Sequence, residues 1–281
     1  MTESCTDRLD ALLMHFPVRA RMFHAGPICG VASFEAGGEG GQLHLVRAGL
    51  LEVVHAAGRP LRINEPTLLL YPRPMARRFV SDRDDPATTT CANLPFEGGA
   101  ANPIASALPD VVVLPLAGID GVDHSLALLF DEAASDNCGR REMIDRLFEV
   151  VLIQVLRHLM ETGQLESGML AGLSHPRLRK AMVAMHEQPA ERWSLEDLAG
   201  VAGMSRSVFA STFHGIVGIT PAAYLQAWRI RLAQAALQQG RPLKVIATEV
   251  GYGSEAALSR AFKAQCQVSP REWQKRGARA A

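Results

Sequence analysis

Residues 195–213, LEDLAGVAGMSRSVFASTF, and residues 243–262, LKVIATEVGYGSEAALSRAF, are two copies of one pattern. The offset is 48 residues through Gly203/Gly251 and 49 from Ser205/Ser254 onward, so the second copy has one extra residue in its turn. The match runs on to Pro221/Pro270 and Tyr224/Trp273. Each copy has the parts of a helix-turn-helix. In the first, Ser194 caps a helix with Asp197 three residues on, and Leu198, Ala199 and Val201 supply the packed side. Gly203 ends that helix where positive φ costs little. Met204 plugs the turn, Ser205 caps the second helix, and Val208, Phe209 and Phe213 anchor it. In the second copy Ile246, Ala247 and Val250 precede Gly251, Tyr252 fills the turn, and Ser254 caps a helix anchored by Ala257, Leu258 and Phe262. Ala199 and Ala247 are small where two helices must cross closely.

Between the copies lies PAAYLQAWRIRLAQAALQQG, with Thr220 as N-cap, Pro221 at the first helical position and Gly240 as the stop. A helix of that length holds two recognition helices at about the 34 Å separation of successive major grooves on one DNA face. Ser269 and Pro270 repeat the cap-plus-proline start for a last helix bearing Trp273.

Charge agrees with this reading. The whole chain of 281 residues is neutral, but from His175 onward there are 15 Lys and Arg against 7 Asp and Glu, a net of +8, and the remainder carries −8. A basic domain joined to an acidic one fits a polyanion-binding module attached to a domain with another task. With 48% hydrophobic and 21% charged residues the chain reads as globular, with length for two domains. The opening MTESCTDRLDALLMHF lacks a basic leader before an apolar run, so no secretory signal is expected. The apolar run 148–160 is too short and too charged to span a bilayer, and a cytoplasmic protein with no membrane partner is expected. Five cysteines without a C-x-x-C pair suggest neither a disulfide framework nor a zinc site.

Upstream, short β-branched and aliphatic runs (QLHLVRAG, LLEVVHAA, LRINEPTLLLYP, VVVLPL) broken by Gly, Pro, Asn and Asp predict a small antiparallel barrel or sandwich over residues 1–116. GGEGG at 37–41 reads as a turn between strands, because no Gly-Lys-Ser/Thr follows it. Residues 117–165 turn helical, with Ile144, Leu147, Phe148, Val151, Val155 and Leu159 at helix spacing. A face that broad packs on its own domain or meets a second copy, and a dimer contact is the expectation. Residues 166–174 read as a linker and 175–281 as the DNA-binding domain. The fold class is α+β.

RPLKVIATEVGYGSEAALSRAFKAQCQVSPREW resembles the signature of AraC/XylS-type transcription regulators over about the last hundred residues. The upstream runs CGVASF, LHLVRAG, LLLYPRP and NPIASALPDVVVLPL resemble the cupin-like sensor domain of one branch of that family. The resemblance implies a bacterial, ligand- or stress-responsive regulator acting on double-stranded promoter DNA as a homodimer, with RNA polymerase as a further partner; the sequence assembles no nucleophile, base or metal set, so no enzyme is expected. Carried over by position, the first recognition helix presents Arg206, Ser207, Ala210 and Ser211, with His214 further along. The second presents Glu255, Ala256, Ser259 and Arg260, followed by Lys263. Side chains in the first set are short, so direct base reading is expected to concentrate on Arg260, which can take guanine bidentately, with Glu255 accepting from cytosine N4. Lys263, Arg229, Lys244 and Arg206 are expected beside phosphates.

A cupin barrel often holds a metal on histidines. His44 and His55 lie on separate predicted strands, but PRPMARRF places Arg77 where a ligand histidine often stands, and arginine does not ligate. No metal and no cofactor are expected. Cys29 and Cys91 fall at strand positions and resemble the paired thiols of redox-responsive relatives, so their oxidation is one candidate signal. Cys5, Cys138 and Cys266 are expected as small buried hydrophobes. A small organic effector meeting Arg73, Arg77 or Arg78 through an anionic group is the other candidate. The alternative reading is a cupin-type enzyme or small-molecule-binding protein with an accessory DNA-binding domain.

Overall fold

The computed structural model describes residues 7–36, 40–96 and 102–280. It divides into two compact units, residues 18–162 and residues 1–17 with 163–281.

The first unit is a pair of facing antiparallel sheets followed by helices. One sheet has the order β1-β8-β3-β6-β9, built from Arg21–Ile28, Ala87–Leu94, Gly41–Ala48, Thr67–Tyr71 and Val112–Pro115. The other runs β2-β7-β4-β5, from Gly30–Phe34, Arg77–Ser81, Leu51–His55 and Leu61–Ile63. Inward residues of both, among them Val46, Leu69, Tyr71, Val53 and Phe79, make the core. The period of two sorts each strand's side chains between this core and the outer face. All five residues of β6 are buried, so this central strand is covered on both faces. The expected sheet architecture is present. Gly41 opens β3, whereas positions 37–39 of the GGEGG turn lie outside the described residues.

Helices α2 (Pro103–Ala107), α3 (Asp123–Ala133) and α4 (Arg140–Glu161) complete this unit, with α1 (Asp10–His15) belonging to the other. The stripe of α4 that includes Ile144, Phe148, Val151, Val155 and Leu159 is buried within this unit. Its outer side leaves Met143 and Val150 exposed and Leu147 half-buried. The α4 carboxylates of Asp145 and Glu149 accept from the backbone N–H groups of Met22 and Ala20, tying the helix to the approach of β1.

The second unit is all-helical: α5 (Met169–Ser174), α6 (Leu178–Glu187), α7 (Leu195–Val201), α8 (Arg206–Val217), α9 (Pro221–Gln238), α10 (Leu243–Glu249), α11 (Glu255–Cys266) and α12 (Pro270–Ala280). The expected linker at 166–174 is largely α5, a buried helix against α6 and α8. Its small residues resemble linker composition, but Met169, Leu170 and Leu173 carry enough apolar surface to pack, and Gly172 lies close under Met182 and Val217. Residues 1–17, expected with the sheets, group here. Phe16 and His15 meet the Trp228 ring edge-on, with centroids 5.4 and 6.3 Å away. Among the described residues no single helix is long and apolar enough to cross a membrane.

Candidate nucleic-acid interface

Ser194 starts α7 with a reciprocal cap. Its Oγ accepts from the Asp197 N–H at 3.1 Å while the Asp197 carboxylate accepts from the Ser194 N–H at 3.0 Å. Gly203, at φ +63°, makes the turn into α8. That helix buries Phe209, Phe213 and Val217, spaced by four, and turns Ser207, Val208, Ser211 and His214 outward. Two expectations change. Val208, read as an anchor, is exposed, and so is Val201 on α7; each lies next to a buried position and 100° around the helix from it. Ala210 is half-buried instead of outward and lines an apolar groove with Trp193, Leu198 and Leu225. Ser211 donates its hydroxyl to the Val208 carbonyl at 3.1 Å, so its proton is committed to its own helix. Ser205 occupies the N-cap position without a side-chain bond, unlike Ser194.

The second copy repeats the plan. Gly251, at φ +81°, precedes Ser254, whose Oγ accepts from the Ala257 N–H at 3.2 Å. Leu258 and Phe262 are buried in α11, and Glu255, Ala256, Arg260 and Lys263 are exposed. Ser259 is half-buried at the margin of that face. The spacing of Ala256, Arg260 and Lys263 puts them on one stripe. Gln267 ends this helix at φ +59°, and its side-chain amide donates to the Ala264 carbonyl at 3.0 Å. Among the described residues no carboxylate pairs with Arg206, Arg260 or Lys263, leaving these cations available.

Helix α9, capped by Thr220 on the Ala223 N–H and closed by Gly240, links the two copies. Its 18 residues span about 27 Å. Arg229 on this helix is not a free phosphate neighbour. Its guanidinium donates to the carbonyls of Pro189 and Glu191 at 2.6 and 2.8 Å, clamping the segment between α6 and α7. Lys244 is exposed.

In the first unit Cys29 is exposed and Cys91 buried. The register pairs His24 with Cys91 and Ile28 with Ala87, so Cys29 lies beyond a four-residue separation, about 13 Å along the strands. That exceeds the roughly 7 Å Cα limit for a disulfide. Burial pushes the Cys91 thiol up to about 12, with its hydrogen bond to Thr89 acting weakly the other way. Cys138 is exposed and Cys266 half-buried, against the expectation of burial, and Cys5 lies outside the described residues. Of the three arginines, Arg73 is committed to the Ala105 and Leu108 carbonyls and Asp110, Arg78 faces out, and Arg77 is buried beside His44.

Residues 7–161 match the family described as Cupin, and residues 198–276 match the family described as Helix-turn-helix domain. A putative AraC-like transcription regulator of Streptomyces antibioticus is 39% identical over 60% of this chain and 57% of its own. The chain belongs to the family described as Cupin, and its C-terminal helix-turn-helix domain is of the AraC type. An HTH-type transcriptional regulator of Haemophilus influenzae is 34% identical over 66% of this chain and 61% of its own. The RCS-specific HTH-type transcriptional activator RclR of Escherichia coli is 27% identical over 83% and 84%. The alignments cover about 60% of the length of the first curated relatives.

Proposed function

We propose that this AraC-type chain is a cytoplasmic transcription regulator that binds promoter DNA through both helix-turn-helix units, with most of the base reading done by the second. The observation that carries the reading is the unpaired Arg260 guanidinium on the exposed stripe of α11, set against a first recognition helix whose outer side chains between Arg206 and His214 are the short Ser207, Val208 and Ser211. A guanidinium there can bind guanine O6 and N7 bidentately, and loss of such a pair costs about 1–3 kcal/mol. Arg260→Ala is therefore expected to weaken the preferred site by roughly 5- to 150-fold while leaving random DNA nearly unchanged. Arg206→Ala should weaken all sequences alike and lower the salt slope by about one. Binding selections at two salt concentrations measure both. A uniform loss for Arg260→Ala would refute the base-reading assignment.

The functional form in this reading is a homodimer that acts with RNA polymerase. Because the inner stripe of α4 is consumed by its own unit, the contact is assigned to the outer one, Met143, Leu147 and Val150. Val150→Glu should shift the protein to monomer in sedimentation equilibrium, and an unchanged mass would remove this contact.

Thiol oxidation is retained as the signal in a narrower form, centred on Cys29, because solvent-exposed thiols react and buried protonated ones do not. A disulfide with Cys91 requires strand movement. Reporter induction by oxidant is expected to be lost in Cys29→Ser/Cys91→Ser and kept in Cys91→Ser alone. Full response in the double variant would exclude the thiols.

A further inference from the structure

The helical unit holds an apolar cavity of about 210 Å³ against the first recognition helix. Trp193 and Leu198 line it from the start of α7, Ala210 from α8, and Thr220, Ala222 and Leu225 from the start of α9. Its walls are the capped beginnings of two helices. Trp193 and Leu198 stand at the N′ and N4 positions about the Ser194 cap, the pair that a hydrophobic staple uses. Trp193 Nε1 donates to the Gln188 carbonyl at 3.1 Å, which tethers the indole. Thr220 closes the N-terminus of α9 by accepting from the Ala223 N–H at 3.3 Å. Elements anchored in this way cannot collapse into the space, and Ala210 and Ala222 are too short to fill it.

The lining specifies the chemistry of an occupant. None of the side chains around the cavity is charged, and the one hydroxyl among them, that of Thr220, already accepts from the backbone. A charged molecule would give up its hydration there without gaining a partner, so the lining favours a neutral one. Leu198 and Leu225 are buried while Thr220 and Ala222 are exposed, so the cavity has an apolar inner end and opens to solvent at its outer one. Trp193 offers an aromatic ring for an offset or edge-on contact. Size sets a further bound, because an apolar protein cavity of about 150 Å³ takes up benzene. The larger volume here accommodates a second fused ring.

We propose that this cavity binds a neutral bicyclic aromatic molecule of the size of indole, held by Trp193, Leu198 and Leu225 with Ala210 beside it. The occupant touches α8 and α9 at once, and so joins the first recognition helix to the helix that links the two copies. The site does not depend on which recognition helix reads bases, and its failure leaves that reading intact.

The test is calorimetric titration and thermal unfolding of the full chain with indole and 1-naphthol, and with indole-3-acetate as the charged counterpart of indole. Both neutral rings are expected to bind and to raise the unfolding midpoint by a few degrees at saturating concentration, with indole-3-acetate at least tenfold weaker than indole. Ala210→Leu, which places a larger side chain in the cavity, should abolish indole binding. Should Ala210→Leu fail to fold, Trp193→Ala, at a half-buried ring, should weaken indole at least tenfold. Undiminished indole binding in a folded Ala210→Leu or in Trp193→Ala, indole-3-acetate binding as tightly as indole, or no binding by either neutral ring would each overturn the assignment.

Discussion

Gly251→Ala is expected to destabilise the helical unit by about 2–5 kcal/mol and to abolish sequence-specific DNA binding, whereas Gly203→Ala, at the equivalent place in the first copy, costs only about 1–2 kcal/mol. Both glycines have positive φ, +81° and +63°, so both substitutions carry the penalty of a left-handed conformation on a residue with a Cβ. The surroundings differ. A Cβ at Gly203 meets nothing within 4 Å, but one at Gly251 falls 2.7 Å from the Cα and carbonyl oxygen of Ala190. That backbone has little freedom to withdraw, since Arg229 holds the carbonyls of Pro189 and Glu191 on either side of it. Relief of the clash has to come from the turn before α11, which displaces Arg260. Denaturant unfolding of each variant, with a gel-shift titration, measures the contrast; equal losses at the two glycines would show that the Ala190 contact does not constrain the turn.

Trp228→Ala is expected to cost about 3–5 kcal/mol, the range for removing a large buried aromatic side chain. Trp228 is fully buried at the middle of α9, stacked on the His186 ring of α6 at 4.0 Å between centroids and met edge-on by Phe16. His186 in turn bonds the Tyr224 hydroxyl at 2.6 Å, and burial lowers it to about 3, so the whole stack is uncharged near neutrality. Removing the indole opens a cavity beneath the helix that sets the distance between the two recognition helices. Because domain stabilities are commonly about 5–15 kcal/mol, such a loss leaves the unit marginal. Trp193→Ala is the control, since that indole is half-buried and bonds only the Gln188 carbonyl. Thermal unfolding should show a far larger drop for Trp228→Ala, and similar drops would mean that the stack is not central to stability.

The second half of the molecule was legible because its signals are local. Caps at Ser194, Thr220, Ser254 and Ser269, and glycines at 203, 240 and 251, act within three or four residues of themselves and all stand where expected. Ser205 is the exception, placed correctly but bonding nothing with its side chain. Orientation around a helix was less secure. Val208 and Ala210 flank the buried Phe209 on opposite sides, and which one faces outward depends on where α7 and α9 pack. Arg229 reads as one more cation in a basic stretch, and only the fold brings the Pro189 and Glu191 carbonyls to it. Residues 166–174 read as a linker by composition for a related reason, since Met169, Leu170 and Leu173 find their partners only when α6 and α8 are in place.

By itself the sequence determined the two-copy helical module, the helix that joins it, the antiparallel sheets upstream and the opposite charges of the two halves. Each follows from periodicity, capping or composition, which are properties of neighbouring residues. Only the tertiary structure decided that Cys29 and Cys91 lie apart, that Arg77 and not Arg73 or Arg78 is the buried cation without a carboxylate partner, and that the two equivalent glycines face different space. Those depend on strand register and on groups distant in the chain, which no local pattern encodes.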